Sequence, residues 1–199
     1  IEDSQGNLWV GTRGGLNLFN PKTQQFTHYR HQASDTNSLS DDSIKSLIED
    51  SQGNLWVGTR GGLNLFTPKT QQFTHYRHQA SDTNSLSEDS VLSLIEDSQG
   101  NLWVGTYGGG LNQFNPKTQQ FTHYRHQASD TNSLSDDIVV SIIEDSQGNL
   151  WVGTDGGLNQ FNPQTQQFTH YRHQASDTNS LSDDSVRSLI EDSQGNLWV

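Results

Sequence analysis

The sequence predicts an all-β fold, a β-propeller of four-stranded antiparallel blades, and two observations carry that prediction. The string IEDSQGNLWVGT begins at Ile1 and recurs at Ile48, Ile95 and Ile143, at spacings of 47, 47 and 48 residues, and IEDSQGNLWV returns at Ile190. A period of this length belongs to propeller blades or to helix-pair solenoids. Every copy is rich in Gly, Thr, Asn, Ser and aromatic residues, with turn clusters about every ten residues and no 3.6-residue apolar stripe, which excludes the helical alternative. The chain divides into repeats 1–47, 48–94, 95–142 and 143–189 and a partial repeat 190–199.

Within one copy the elements follow in order. Residues Ser43 to Asp50 form a strand, Ser51 to Asn54 a tight turn, and Leu55 to Thr59 the returning strand. Gly53 supplies the positive φ the turn needs, and the Asp50 carboxylate can cap its amides. Arg60-Gly61-Gly62 makes the second turn and Leu63 to Phe66 the third strand. Thr67 to Thr70 makes the third turn, where Pro68 has no ladder donor to lose. Gln72 to His78 is the fourth strand, and the polar stretch Gln79 to Asp89 crosses to the next copy. Four antiparallel strands with short turns and one longer crossover make a propeller blade.

Blade interiors pack on both faces, so the first two strands show adjacent apolar residues instead of clean alternation. Trp9, Trp56, Trp103 and Trp151 are expected to fill the seams between blades, each burying aromatic area worth a few kcal/mol at about 25 cal/mol per Å². Gly58, Thr59, Gly61 and Gly62 allow close backbone approach there, and Leu86 is expected to anchor the crossover.

Composition constrains function. The 29% hydrophobic content and net charge of −12 would suggest disorder were the apolar area not concentrated in eight Phe, five Tyr and five Trp at fixed places. The acidic balance and the two or three basic residues per copy argue against nucleic acid, whose phosphates need clustered Lys and Arg, and against membrane surfaces. No apolar run near 18 residues and no signal peptide is present, so membrane insertion of this segment is not expected. Without cysteine there are no disulfides or thiolate metal sites. The absence of Met marks the 199 residues as a fragment, a processed product or a window on something longer.

The pattern SLIEDSQGNLWVGTRGGLNLFNPKTQQFTHYRH followed by NSLSDDSI resembles the two-component-regulator propeller repeat, found in the extracytoplasmic sensor regions of hybrid histidine kinases. The resemblance covers the whole chain, and its most specific element is the ED-x-x-GNLWVGT-x-GGLN core. It implies a propeller with a sensory role and a periplasmic or otherwise extracytoplasmic location. Blades this similar to one another suggest amplification of a single blade, natural or engineered, and with it the alternative of a scaffold with an assembly role and no physiological ligand.

Candidate chemistry is sparse. The HYRH elements (His28/His31, His75/His78, His123/His126, His170/His173) suggest a metal, but residues i and i+3 of a strand point to opposite faces, so an outer-strand surface role is the better reading. EDSQGN has two acids and no bidentate Glu at calcium-loop distance. GTRGG and GTYGGG lack the Lys and helix of a phosphate loop. Four equal copies supply no converging catalytic cluster, and neither an enzyme nor a cofactor is expected.

Differences between copies are more informative. They fall mainly at Arg13, Arg60, Tyr107 and Asp155, at Lys45, Leu92, Val140 and Arg187, and at Ser43, Ser90, Ile138 and Ser185. Lesser changes occur at Leu18, Leu65, Gln113 and Gln160 and at Lys22, Lys69, Lys117 and Gln164. The second turn and the start of the first strand lie on the same face of a blade. The three sets are therefore expected to surround one mouth of the channel, a polar, partly basic mouth whose first two sets bind a small molecule or glycan, with drift at exposed positions as the alternative. The ends carry a further expectation. The first copy lacks most of its first strand, while Ser185 to Asp192 supplies one with nothing after it. Four blades then make about half a ring, and two chains related by a two-fold axis would close an eight-bladed homodimer. Closure within one chain or between chains stays open, and the duplicated NLWV at 7–10 and 196–199 cannot share one strand position.

Overall fold

The computed structural model describes residues 1–199. Blade one contains β1 (Leu8–Thr12), β2 (Gly15–Asn20) and β3 (Gln25–Tyr29). Blade two contains β4 (Ile44–Glu49), β5 (Leu55–Thr59), β6 (Gly62–Thr67) and β7 (Gln72–Tyr76). Blade three contains β8 (Val91–Glu96), β9 (Leu102–Thr106), β10 (Leu111–Asn115) and β11 (Gln120–Tyr124). Blade four contains β12 (Val139–Glu144), β13 (Leu150–Thr154), β14 (Gly157–Asn162) and β15 (Gln167–Tyr171). A final pair, β16 (Ile190–Glu191) and β17 (Leu197–Trp198), begins a fifth blade. Each sheet is an antiparallel meander in chain order, so the chain carries three complete four-stranded blades between a three-stranded and a two-stranded one.

The turns form as their residues require. In blade two, Gly53 adopts φ 78°. Asp50 Oδ1 accepts the amides of Gln52 at 3.0 Å and Asn54 at 2.8 Å. The same carboxylate accepts the indole N–H of Trp56 through Oδ2 at 3.0 Å, so one acid closes the turn and orients the ring. The arrangement repeats at Asp3, Asp97, Asp145 and Asp192. Two expected boundaries shift. Gly62 belongs to the third strand, paired with Thr59, and not to the turn. The fourth strand ends at Tyr76, because the His78 amide donates to Asp89 Oδ1 and turns the chain into the crossover.

The apolar cores lie between blades. One seam buries Trp9, Leu16 and Leu39 against Ile44, Leu55, Val57, Phe66 and Phe73 of the next blade, and two further seams repeat the set. Three tryptophans meet a phenylalanine of the following blade edge-on, Trp9 with Phe66 at 5.5 Å, Trp56 with Phe114 at 5.5 Å and Trp103 with Phe161 at 5.3 Å. Such aromatic pairs add about 0.5–1.5 kcal/mol beyond burial. Burial within the seams also raises the phenol pKa of Tyr29, Tyr76 and Tyr124 above the ordinary value.

Polar latches accompany each seam. Glu49 of blade two accepts both the amide and the hydroxyl of Ser4 in the preceding turn, each at 2.7 Å, and Glu96–Ser51, Glu144–Ser98 and Glu191–Ser146 repeat the latch. The crossover loop is clasped from both sides. His31 of the blade it leaves donates through Nδ1 to Leu39 O, and His75 of the blade it enters donates through Nε2 to Ser38 O, both at 2.7 Å. A carbonyl only accepts, so each contact fixes its imidazole tautomer. Leu39, Leu86 and Leu134 are the fully buried anchors of these loops.

The second strand of one blade packs closely on the first strand of the next, and Gly58 marks how closely: a Cβ there would lie 2.6 Å from Val91 Cγ1. Gly58→Ala is therefore expected to cost about 1–3 kcal/mol by overpacking, read as a lower urea midpoint with unchanged far-ultraviolet circular dichroism. Acid should weaken the blades as well. Burial opposes ionisation of Asp145, but hydrogen bonds from Trp151, Asn149 and Gln147 outweigh it and hold the carboxyl below its ordinary 3.8. Asp3 is lowered in the same way by Asn7, Trp9 and Gln5. A lowered carboxylate stabilises the fold above its unfolded pKa, and that contribution disappears as pH falls through the folded value. Urea midpoints should thus fall on acidification below about pH 4, and Asp145→Asn should flatten the decline.

Candidate functional site

The eight residues singled out for the mouth occupy one end of the inner strands. Arg13 and Arg60 are exposed on the turns that follow β1 and β5, Tyr107 follows β9 with 60% of its surface exposed, and Asp155 follows β13, half-buried. Lys45, Leu92 and Val140 lie one residue into β4, β8 and β12, the first exposed and the other two half-buried, and Arg187 is exposed ahead of β16. Ile44 pairs with Thr59, which brings Lys45 and Arg60 to the same end of one blade.

Across a seam, the turn of one blade meets the strand start of the next. Arg187 approaches Asp155 at 3.4 Å, and the Ser185 hydroxyl donates to the same carboxylate oxygen at 3.0 Å. Tyr107 bridges to Ile138, and its amide donates to Ser90 O at 2.9 Å. Two of these positions are thus joined across seams, Tyr107 to Ile138 and Asp155 to Arg187. The variable positions form an open rim and no enclosed cavity.

Blade three departs from the others at this rim. Its second turn carries one extra glycine, Gly108, at φ 95°, with nothing within 4 Å of a Cβ placed there. In blades two and four a loop serine pairs with the strand threonine below the turn, Ser40 with Thr59 at 2.9 Å and Ser135 with Thr154 at 2.8 Å. In blade three the equivalent Ser87 hydroxyl is buried and has no partner. An unmade buried hydrogen bond costs about 1–3 kcal/mol, so the lengthened turn is maintained against a local penalty.

The histidines do not converge. His75 and His78 reach carbonyls of two different crossover loops, at Ser38 and Leu86, which makes them loop clasps and corrects the expectation of a surface role. The signal was in the sequence, since HYRH and NSLS recur together in every copy, but their contact spans 37 residues. No group of three or more His, Cys, Asp or Glu gathers to hold a metal.

The two-component regulator propeller family model matches residues 1–14, 38–61, 85–108, 133–156 and 180–199, together more than half of the chain. No curated protein matches significantly. Among solved structures, the extracellular domain of the one-component system BT4673 from B. thetaiotaomicron aligns at 27% identity and TM-score 0.77, over 96% of this chain and 24% of that one. The extracellular domain of the hybrid two-component system BT3049 from the same organism aligns at 25% identity and TM-score 0.62, over 100% of this chain and 37% of that one. The chain therefore spans well under half the length of either sensor domain. Virginiamycin B lyase from Staphylococcus aureus, at 14% identity and TM-score 0.72, shares the fold alone. No helix is long and apolar enough to cross a membrane.

The Asp155–Arg187 pair is solvent-exposed on its arginine side. A double-mutant cycle with Asp155→Ala and Arg187→Ala should give a coupling of about 0.2–1 kcal/mol, shrinking as salt is raised. A coupling that persists in high salt would contradict a screened rim pair.

Proposed function

The chain belongs to the two-component regulator propeller family, and on that premise we propose that it is a non-enzymatic binding module of an extracytoplasmic sensor, with its ligand at the rim around Tyr107. The observation that carries this reading is the departure of blade three. In a chain of near-identical blades, the extra Gly108 and the exposed Tyr107 fall together on the rim where the main substitutions gather. The seam's Asp, Trp and Phe residues repeat unchanged because every blade must fit its neighbours, while the rim is free to differ in charge and size.

The rim chemistry suits a small polar ligand with one apolar face, such as a glycan ring or a planar small molecule. Tyr107 presents an aromatic surface and a hydroxyl beside Ile138, Leu92 and Val140 are half-buried at neighbouring strand starts, and Arg60 and the Asp155–Arg187 pair offer charged hydrogen-bonding groups at the same end of the blades. Few convergent polar groups around an apolar patch are what small-ligand sites use. The non-enzymatic reading is supported by the family and by the similarity to sensor extracellular domains.

The near-identity of the blades favours a second reading, a repeat scaffold whose role is assembly and whose rim differences are drift at exposed positions. A panel of neutral and acidic oligosaccharides screened by calorimetry separates the two. The sensory reading expects a binder whose affinity falls at least about tenfold, or 1.4 kcal/mol, in Tyr107→Ala and is unchanged in Lys22→Ala on the far turn. Binding indifferent to Tyr107, Arg60 and Asp155 substitutions would sink it.

A further inference from the structure

The two sets of lesser variation face each other across the seams. Leu65 pairs with Trp56 in register, so both point toward blade three, where Trp56 meets Phe114. On the other wall of the same cleft stands Lys117, in the turn after β10. Between blades three and four, Gln113 lines the cleft in the place of Leu65, and Gln164 replaces Lys117 in the turn after β14. The first seam has Leu18 with Lys69. Leucine therefore goes with lysine and glutamine with glutamine, although each pair is divided between two blades. The two walls change together.

The cleft between blades two and three has a volume of about 390 Å³, against about 70 Å³ between blades three and four. Both of its walls are interior blades, and it opens at the turns opposite the rim. Half-buried Leu65 and Tyr76 line it on the blade-two side, over the buried Phe114. Its two acids are already satisfied. Asp50 accepts the amides of Gln52 and Asn54, the Asn54 side chain and the Trp56 indole, and Glu96 accepts the amide and the hydroxyl of Ser51. The chain's one ion pair lies elsewhere, between Arg187 and Asp155, so the Lys117 ammonium is unpaired. The Tyr76 hydroxyl has no partner either, and burial keeps it protonated by raising its pKa. The acceptors of this cleft are spent while its strongest donors are free.

We propose that the cleft between blades two and three binds a small aromatic carboxylate, its ring against Leu65 and Tyr76 and its carboxylate on the Lys117 ammonium. Free donors call for an acceptor, and a carboxylate is the acceptor that also answers the charge. A cationic ligand would meet the ammonium and find the carboxylate oxygens of Asp50 and Glu96 already taken. A charge-assisted hydrogen bond of this kind is roughly twice as strong as a neutral one. The volume lies at the small end of the range of about 300–1,000 Å³ for ligand sites, which suits one ring with a short acidic arm. Where glutamines replace the leucine and the lysine, the cleft loses both the apolar wall and the charge, and the seam between blades three and four is expected not to bind. The site is separate from the rim and stands or falls without it.

The test is equilibrium dialysis of the chain against phenylacetate, with phenylacetamide as the uncharged counterpart. Saturable binding of phenylacetate is expected, at least about tenfold tighter than that of the amide. The double variant Leu65→Gln with Lys117→Gln gives this cleft the residues of the next one, so circular dichroism should report intact blades while one bound equivalent is lost. The reverse exchange, Gln113→Leu with Gln164→Lys, should add one. Tyr107→Ala at the rim should leave phenylacetate binding unchanged, which keeps this site distinct from the rim. No saturable binding, equal affinity for the amide, loss of binding in Tyr107→Ala, or an unchanged number of bound equivalents in both double variants would overturn the proposal.

Discussion

Every seam depends on one carboxylate. The aspartate after each first strand takes two turn amides and the indole N–H of the tryptophan six residues on, as Asp50 does with Gln52, Asn54 and Trp56. The turn alone would need only the amides. The indole bond decides which edge of the ring faces the next blade, and the edge-on contact of Trp56 with Phe114 follows from it. The glutamate one position earlier, Glu49, reaches back to Ser4 in the preceding blade's turn, as Glu96 does to Ser51. Adjacent acids in the ED pair thus do different work, one inside a blade and one between blades.

Because the cores lie between blades, a blade has little stability of its own, and the arc is close to a one-dimensional chain of coupled units. The consequence is visible at both ends. Residues identical in type to fully packed ones are left bare where no neighbour follows, as with Leu8 against Leu55. Exposed apolar surface of this origin is a property of the position in the array and not of the residue.

Much of the blade was legible in the sequence because its signals are local: Gly53 in a two-sided turn, the polar crossover, Leu86 alone among serines. What could not be read spans neighbouring copies. Glu49 and Ser4 are 45 residues apart, and nothing in either says that they meet, although both recur in each copy. The histidine spacing argued against a shared metal on strand geometry but gave no hint that each ring would close a different loop. The rim positions were found by comparing copies; their pairing across the seam, Asp155 with Arg187, needed the geometry of two blades at once.

That pairing bears on how near-identical blades keep an order. Any blade can follow any other through the Asp, Trp, Phe and His contacts, which are the same at every seam. The rim contacts are not. Asp155 meets Arg187 and Tyr107 meets Ile138, an ion pair at one seam and an apolar contact at another. Exposed charges at such a rim are screened by salt, so exchanging them costs little compared with a change in a buried seam. The same tolerance lets substitutions collect there without disturbing the fold. Differentiation in such a chain therefore has one inexpensive place to begin, and blade three, with its extra glycine and orphaned Ser87 hydroxyl, is where it has gone furthest.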